Sequence, residues 1–260
     1  MYPDLVSIGP LTIHTYGLFV ALGFASAIIL TTWLGRKEGV PPQRVMDIAF
    51  MAIVWAIIGS RLFYVLLNLE YYRRQPLDVF KLWQGGLVFS GGLVVAALAL
   101  IWYLRRRRMP VLSTADLFAP GLALGQGIGR MGCFFAGCCY GQPLDAPWAV
   151  VFTHPNSLAP LHVPLHPTQA YAAVGGIALF VVLMVLRKRR AFQGQVFIWY
   201  MILHSTLRLV EERFRGDYRG LVPGTEMSMT QLLALLVLVG SVVALYIIKP
   251  KDSSGAGPDR

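Results

Sequence analysis

The stretch "MSMTQLLALLVLVGSVVALYII", residues 227–248, contains no Asp, Glu, Lys or Arg. A helix that crosses a membrane needs about 20 mostly apolar residues. Three further uncharged stretches cover residues 5–35, 82–104 and 191–207. Only 14% of the chain is charged and its mean hydropathy is +0.58, whereas roughly 25% of a soluble domain is charged. The composition therefore predicts an all-α polytopic membrane protein.

Seven transmembrane helices are predicted, near residues 17–34, 46–67, 87–104, 114–134, 168–186, 194–212 and 229–248. Four clusters contain 14 of the 23 basic residues, and all four fall on one side of a seven-span arrangement. They are Arg36/Lys37/Arg44, residues 105–108, residues 187–190 and Lys249/Lys251/Arg260. The positive-inside rule makes that side cytoplasmic, with the N-terminus outside and the C-terminus inside. The net charge of +10 is thus a topology signal beside anionic lipid, and no nucleic-acid partner is expected.

The remaining loops suggest a simple domain organisation. Six prolines lie between residues 138 and 167: Pro143, Pro147, Pro155, Pro160, Pro164 and Pro167. Because such a density prevents a long helix, this segment is predicted to form a small periplasmic cap. Residues 1–250 are expected to form a single seven-helix domain, and residues 251–260 a disordered cytoplasmic tail.

Three arginines fall within or at the ends of the predicted spans: Arg61, Arg130 and Arg208. Each costs about 2.5–3.5 kcal/mol at a helix centre on insertion scales, so each needs a partner or a function. For Arg61, snorkelling or pairing within the bundle is as plausible as a functional role.

His204, Arg208 and Glu212 recur every four residues and share one helix face, and Arg215 continues this stripe. The stripe predicts either an intramembrane salt bridge or a ligand site.

Glycines and cysteines mark the fourth span. Gly121, Gly125 and Gly129 form a small-residue ridge that allows another helix to approach closely. The three cysteines, Cys133, Cys138 and Cys139, are too few for a structural zinc site. Small-residue packing, a structural disulfide such as Cys133–Cys138, and direct thiol chemistry remain open interpretations. No metal or cofactor is expected.

Five motifs resemble, in order and spacing, the prolipoprotein diacylglyceryl transferase family. They are "HTYGL" at 14–18, "GGLVFSGGL" at 85–93, "GRMGCFFAGCCYG" at 129–141, "HPTQAY" at 166–171 and "LRLVEERFRGD" at 207–217. The resemblance implies an enzyme that transfers the diacylglyceryl group of phosphatidylglycerol to the lipobox cysteine thiol of preprolipoproteins, with release of glycerol phosphate. It also implies a multi-pass protein of the bacterial inner membrane that works on lipids of the bilayer.

The resemblance assigns roles to residues already noted. Arg130 and Arg208 become phosphate-binding catalytic residues, since a guanidinium binds phosphate bidentately, and Glu212 would orient Arg208. The expected lipid-site residues are Tyr16, Ser90, Gly91, Gly92, Gly129, Cys133, Gly141, His166, Gln169 and Arg215.

The chain departs from the family pattern at four positions. Ser90 stands where many members have a histidine, which is the candidate base for the thiol; His204 is therefore our hypothesis for that base. Cys133 replaces an asparagine, Cys138 a glutamate, and Ala172 another glutamate. These substitutions leave open a diverged paralogue with another acceptor. A membrane thiol-disulfide oxidoreductase is a further alternative.

Overall fold

A computed structural model describes residues 2–8, 11–218 and 220–248. Within these ranges the chain forms eight α-helices and two small antiparallel sheets. The helices are α1 (Thr15–Lys37), α2 (Pro42–Leu67), α3 (Leu69–Arg74), α4 (Phe89–Arg106), α5 (Val111–Ala136), α6 (Thr168–Lys188), α7 (Gln195–Glu212) and α8 (Met229–Ile248). The strands are β1 (Asp4–Ile8), β2 (Leu11–His14), β3 (Val150–Val151) and β4 (Pro164–Leu165). The predicted tail at 251–260 lies outside the described residues.

Five helices, α1, α2, α4, α6 and α8, are long and apolar enough to cross a membrane. Their apolar side chains are mostly not covered by protein: only 11% of the most apolar window of α8 is buried. An apolar surface of this extent is costly in water, so these helices support a multi-pass membrane protein, as predicted.

The seven predicted spans are not all supported in this way. α5 and α7 occupy the fourth and sixth of them but are not among the five. α5 contains Asp116 and Arg130, and α7 contains Arg208 and ends in two glutamates. These two helices carry all four candidate catalytic residues, Arg130, His204, Arg208 and Glu212, which accounts for part of their polarity.

Residues 32–114 form one of two compact units. Within it α2 and α4 pack through glycines: a Cβ at Gly91 would overlap the ring of Phe63, and one at Gly92 would overlap the Ser60 hydroxyl. Close approach of the two helices therefore requires glycine at both positions.

Arg61 organises the loop that precedes α4. Its guanidinium donates hydrogen bonds to five carbonyl oxygens at 2.6–3.3 Å, those of Asp78, Val79, Lys81, Gly85 and Gly86. The rings of Tyr64 and Tyr72 lie 5.7 and 5.5 Å from its central carbon. Arg61 is buried, and these contacts assign it a structural role.

The described residues of the ranges 1–31 and 115–260 form the other compact unit. Here the predicted glycine ridge of α5 contacts α1: Gly121 faces Thr31, and Gly125 faces Gly23. A Cβ at Gly129, the third member, would meet no atom of the described residues within 4 Å. The ridge therefore packs at two of its three positions and leaves open space at the third.

Asp116 fixes the start of α7. Its buried carboxylate accepts hydrogen bonds from the backbone N–H groups of Gly194 and Phe197, at 2.7 and 2.8 Å. Gly194 is the N-cap of α7 and Phe197 lies in its first turn, where backbone N–H groups lack partners within the helix. A residue nearly 80 positions away thus caps this helix.

The cap segment at 138–167 contains β3 and β4, which pair antiparallel over two residues. Phe152, Ala159 and Leu165 form its small core. The N-terminal hairpin β1–β2 contacts it, because Asn156 donates a 2.7 Å hydrogen bond to Asp4, which also bonds His14 at 2.7 Å.

Candidate active site

Arg208 lies in a network of acidic groups at the end of α7. Its Nη2 is 2.6 Å from Glu212 Oε2, and its Nη1 is 3.3 Å from Glu211 Oε2. The Ser228 hydroxyl donates to Glu212 Oε1 at 2.7 Å. Arg208 and Glu212 are both largely buried, so Glu212 is held from two sides and in turn orients the guanidinium.

Arg130 projects from α5 and is half-buried. It makes no ion pair and no side-chain hydrogen bond within the part of the chain that the structure describes. Its charge acts on the ring of His204, and so does the charge of Arg208. The charge of Arg130 also acts on the phenol group of Tyr16. The backbone of Tyr16 lies against Gly132 of α5. Two cations from separate helices therefore share the neighbourhood of one imidazole.

Arg215 is positioned by a close crossing of two backbone segments. Gln142 N donates to Phe214 O at 2.8 Å, and Gly216 N donates to Tyr140 O at 3.1 Å. Gly141 sits at the crossing, where a Cβ would overlap His166 and lie 2.9 Å from Phe214 O. Only a residue without a side chain allows the cap to pair here with the segment after α7.

The Arg215 side chain is buried and forms a bidentate pair with Asp217, at 2.8 and 2.7 Å. It also hydrogen-bonds the Cys139 thiol. The guanidinium of Arg215 therefore already donates hydrogen bonds to two residues of the same chain. Arg215 therefore links the end of α7 to the cysteine segment.

The three cysteines are free thiols, and their Sγ atoms all lie within 4.8 Å of one another. Hydrogen bonds from Cys133 and Cys138, and from Arg215, hold the pKa of Cys139 below its usual value. The contacts of Cys138 with the other two thiols raise its pKa. Of the three open interpretations, the structure shows thiols in contact rather than a disulfide.

The predicted patch at the start of α6 divides into two parts. The His166 ring lies 5.2 Å from that of Phe214, and its Nδ1 is 3.4 Å from the Tyr171 hydroxyl. Gln169 is fully buried and donates to the Cys138 carbonyl at 2.9 Å, while its Oε1 has no partner in the described chain. Ala172, at a family glutamate position, is buried.

Three predicted lipid-site residues, Ser90, Gly91 and Gly92, belong to the other compact unit. Ser90 is exposed at the start of α4, whereas Gly91 and Gly92 are buried in the contact with α2 described above. The structure thus gives the two glycines a packing role within their unit.

In the unit that contains Arg130 and Arg208, the sequence reasoning missed several polar residues: Asp116, Glu211, Asp217 and Ser228. Glu211 and Asp217 are adjacent in sequence to residues that it did select, and an i, i+3 spacing from Arg208 signals Glu211. Asp116 and Ser228 have no local signal, because their partners lie on other helices.

Comparison with known proteins shows to which family the chain belongs. The family model for prolipoprotein diacylglyceryl transferase matches residues 3–247. The chain is 33% identical to the phosphatidylglycerol–prolipoprotein diacylglyceryl transferase of Clostridium tetani, over 95% of this chain and 98% of that protein. It is 35% identical to the enzyme of the same name from Verminephrobacter eiseniae, over 93% and 91% of the two chains. For the Bordetella avium enzyme the identity is 33%, over 97% and 96%. The chain therefore belongs to the prolipoprotein diacylglyceryl transferase family.

Proposed function

We propose that this protein transfers the diacylglyceryl group of phosphatidylglycerol to the lipobox cysteine thiol of prolipoproteins and releases glycerol phosphate. Family membership and the names of the relatives support the reaction. The observation that supports the residue assignment is that the charges of Arg130, on α5, and Arg208, on α7, both act on the imidazole of His204. Two guanidinium groups on separate helices can hold one phosphodiester from two directions.

Arg130 is the first candidate for the headgroup phosphate. A guanidinium without a carboxylate partner within the described residues has donors available for an anion, and phosphate accepts two of them in parallel. The preceding residue of α5, Gly129, also borders open space. Electrostatic stabilisation of a leaving group by such donors is often the largest catalytic contribution.

Arg208 is the second candidate, and Glu212 positions it. The 2.6 Å pair fixes one edge of its guanidinium, so the arginine keeps one orientation before the lipid arrives. The longer Glu211 contact, at 3.3 Å, is the one that a phosphate oxygen would replace. Tyr16 and His166 complete the proposed polar surface for the headgroup.

The thiol must lose a proton, because the thiolate is the nucleophile. We assign this step to His204, whose imidazole can accept a proton and on which the charges of both arginines act. A bond forms between the substrate sulfur and the glyceryl carbon. The bond from that carbon to the phosphate oxygen breaks, its electron pair leaves with glycerol phosphate, and the thiol proton passes to the imidazole. The reaction balances without a cofactor.

The proposed location is the bacterial inner membrane, with seven spans, the N-terminus and the cap outside, and the C-terminus in the cytoplasm. This orientation puts the cap on the side where lipobox peptides arrive. Reporter fusions after residues 106 and 189 should then report the cytoplasm, and a fusion near residue 155 should not.

The decisive experiment mixes purified full-length protein with phosphatidylglycerol and a lipobox peptide. Mass spectrometry should find a diacylglyceryl adduct on the cysteine together with released glycerol phosphate. Arg130→Ala and Arg208→Ala should each reduce turnover by about 10²–10³-fold, the usual effect of removing such a donor. The matched control is Arg106→Ala, an exposed arginine at the end of α4, which should retain full activity.

Three outcomes would contradict parts of the proposal. Full activity of Arg130→Ala would remove the phosphate role of that residue. Unchanged turnover of His204→Ala at saturating peptide would remove the assigned base. Release of glycerol phosphate only with a thiol other than the lipobox peptide would indicate the paralogue with another acceptor. Family membership does not favour the oxidoreductase alternative.

A further inference from the structure

The three cysteines form a cluster that takes no part in the bond-making, bond-breaking or proton transfer proposed above, although Cys133 is among the expected lipid-site residues. They are the only cysteines of the chain, and they come from two different local structures. Cys133 lies in the last turns of α5, whereas Cys138 and Cys139 follow in the turn after it. All three Sγ atoms nevertheless lie within 4.8 Å of one another.

We propose that the thiolates of Cys133, Cys138 and Cys139 bind one Cu(I) ion in a three-coordinate site. Metal–thiolate bonds are about 2.3 Å long, so three sulfurs around one ion in a plane are about 4 Å apart. The three Sγ atoms, all within 4.8 Å of one another, need only a small side-chain adjustment to reach that spacing. This inference does not depend on the transfer activity.

The number of ligands selects the metal. No histidine or carboxylate of the described ranges joins the three thiols in the cluster. Structural zinc is almost always four-coordinate and tetrahedral, so an all-thiolate set of three leaves it one ligand short. Soft thiolate ligands favour Cu(I), which accepts three of them. The sequence argument against zinc therefore still holds, while a softer ion fits.

Positive charge next to the cluster supports an anionic metal centre. Three thiolates and one Cu(I) carry a net charge of −2, which is costly in a partly buried place without compensation. Arg215 hydrogen-bonds Cys139, and the charge of Arg130 acts on Cys133. Arg130 belongs to α5 and Arg215 follows α7, so positive charge reaches two different cysteines from two separate elements.

The backbone around the cluster is held in place. Thr168 donates a 2.8 Å hydrogen bond to the Cys139 carbonyl, and Gln169 a 2.9 Å bond to the Cys138 carbonyl. Both donors are buried at the start of α6. Cys139 itself has a φ of 62°, a left-handed conformation that costs a non-glycine residue about 1–3 kcal/mol. The fold thus orients the thiols before any ion binds.

An ion can also reach the site. Cys138 and Cys139 are only partly buried, whereas Cys133 is buried. A Cu(I) ion would then meet Cys138 and Cys139 first and complete its coordination with Cys133. This order suits a site that loads after folding.

The test titrates reduced full-length protein in detergent, without oxygen, with Cu(I) in competition with a chromogenic Cu(I) chelator. We expect one ion per chain, and X-ray absorption should show three sulfur neighbours at about 2.3 Å. Replacing even a residue that merely orients a ligand typically costs 10–100-fold in metal affinity. Cys133→Ser, Cys138→Ser and Cys139→Ser should therefore each weaken binding by more than about 100-fold.

Two controls separate ligand loss from misfolding. Met131→Leu removes a nearby thioether of α5 and should leave affinity and stoichiometry unchanged. Cu(I) should raise the thermal unfolding midpoint of the native protein, because an ion that binds only the folded state stabilises it. The Cys138→Ser variant, at a partly buried position, should keep the metal-free midpoint and lose this rise. Absence of a 1:1 complex, binding insensitive to the serine substitutions, or preference for four-coordinate zinc over Cu(I) would overturn the proposal.

Discussion

Glu211 and Glu212 offer an internal comparison, because both contact Arg208 and they are neighbours on α7. Glu212 is 2.6 Å from the guanidinium and is fixed by Ser228 at 2.7 Å, whereas Glu211 is 3.3 Å away. We therefore expect Glu212→Ala to impair the enzyme far more than Glu211→Ala. Both changes remove one carboxylate from the same helix end, so the effects of charge and helix propensity are matched.

The expected magnitude follows from the contacts. A hydrogen bond to a charged group contributes about 1.5–3 kcal/mol, and each 1.4 kcal/mol is about a factor of ten. Loss of the Glu212 contact should then lower kcat/KM by roughly 10–150-fold. The longer and more accessible Glu211 pair should contribute about 0–1 kcal/mol, a factor of about five at most.

The assay is turnover of a lipobox peptide with phosphatidylglycerol, and thermal unfolding of each variant checks that the fold is retained. Equal losses for the two variants would refute the argument that Glu212 orients Arg208. So would a Glu212→Ala enzyme within twofold of the native activity. A drop that follows the unfolding midpoint alone would assign Glu212 a purely structural role.

Three further predictions concern structure and pH. Arg61→Ala removes the donor shared by five carbonyls and should cost about 3 kcal/mol or more, seen as a lower unfolding midpoint; an unchanged midpoint would refute the role assigned to it. Gly141→Ala should destabilise the cap by overlap with its neighbours, while Gly129→Ala, facing open space, should not lower the midpoint. Hydrogen bonding from Asn156 lowers the pKa of the Asp4 carboxyl. The ionised Asp4 therefore stabilises the fold at pH values above its ordinary pKa of about 3.9, and this stabilisation is lost as the pH falls through the lowered pKa. The midpoint difference between native protein and Asp4→Asn should vanish in that acidic range; a difference independent of pH would contradict this.

Much of the architecture follows from local composition. Uncharged runs of about 20 residues predict membrane helices because a bilayer core is about 30 Å thick, and α8 matches its run closely, whereas α1 covers only the later part of the run at 5–35. The spacing of Arg208 and Glu212 predicts their pairing for a similar reason, since residues four apart on a helix are neighbours. Both arguments need only the helical repeat and the chemistry of the side chains.

Other features depend on residues far apart in the chain. Arg61 and Arg130 look alike in sequence, as single cations within apolar segments. Five carbonyls of a later loop surround the first, while the second has no such partners within the described residues. Likewise no local pattern connects Asp116 to the start of α7 or Ser228 to Glu212.

The amino-acid sequence alone determined the class of this protein, its long helices and its set of polar residues, because hydropathy and helical periodicity act over a few turns of chain. Only the tertiary structure decided which cation is enclosed by carbonyls, which carboxylate is held from two sides and that three thiols meet. The physical reason is that a polar side chain in an apolar surrounding takes its partners from whatever helix or loop packs against it. Those partners are set by the fold as a whole and not by the neighbouring residues.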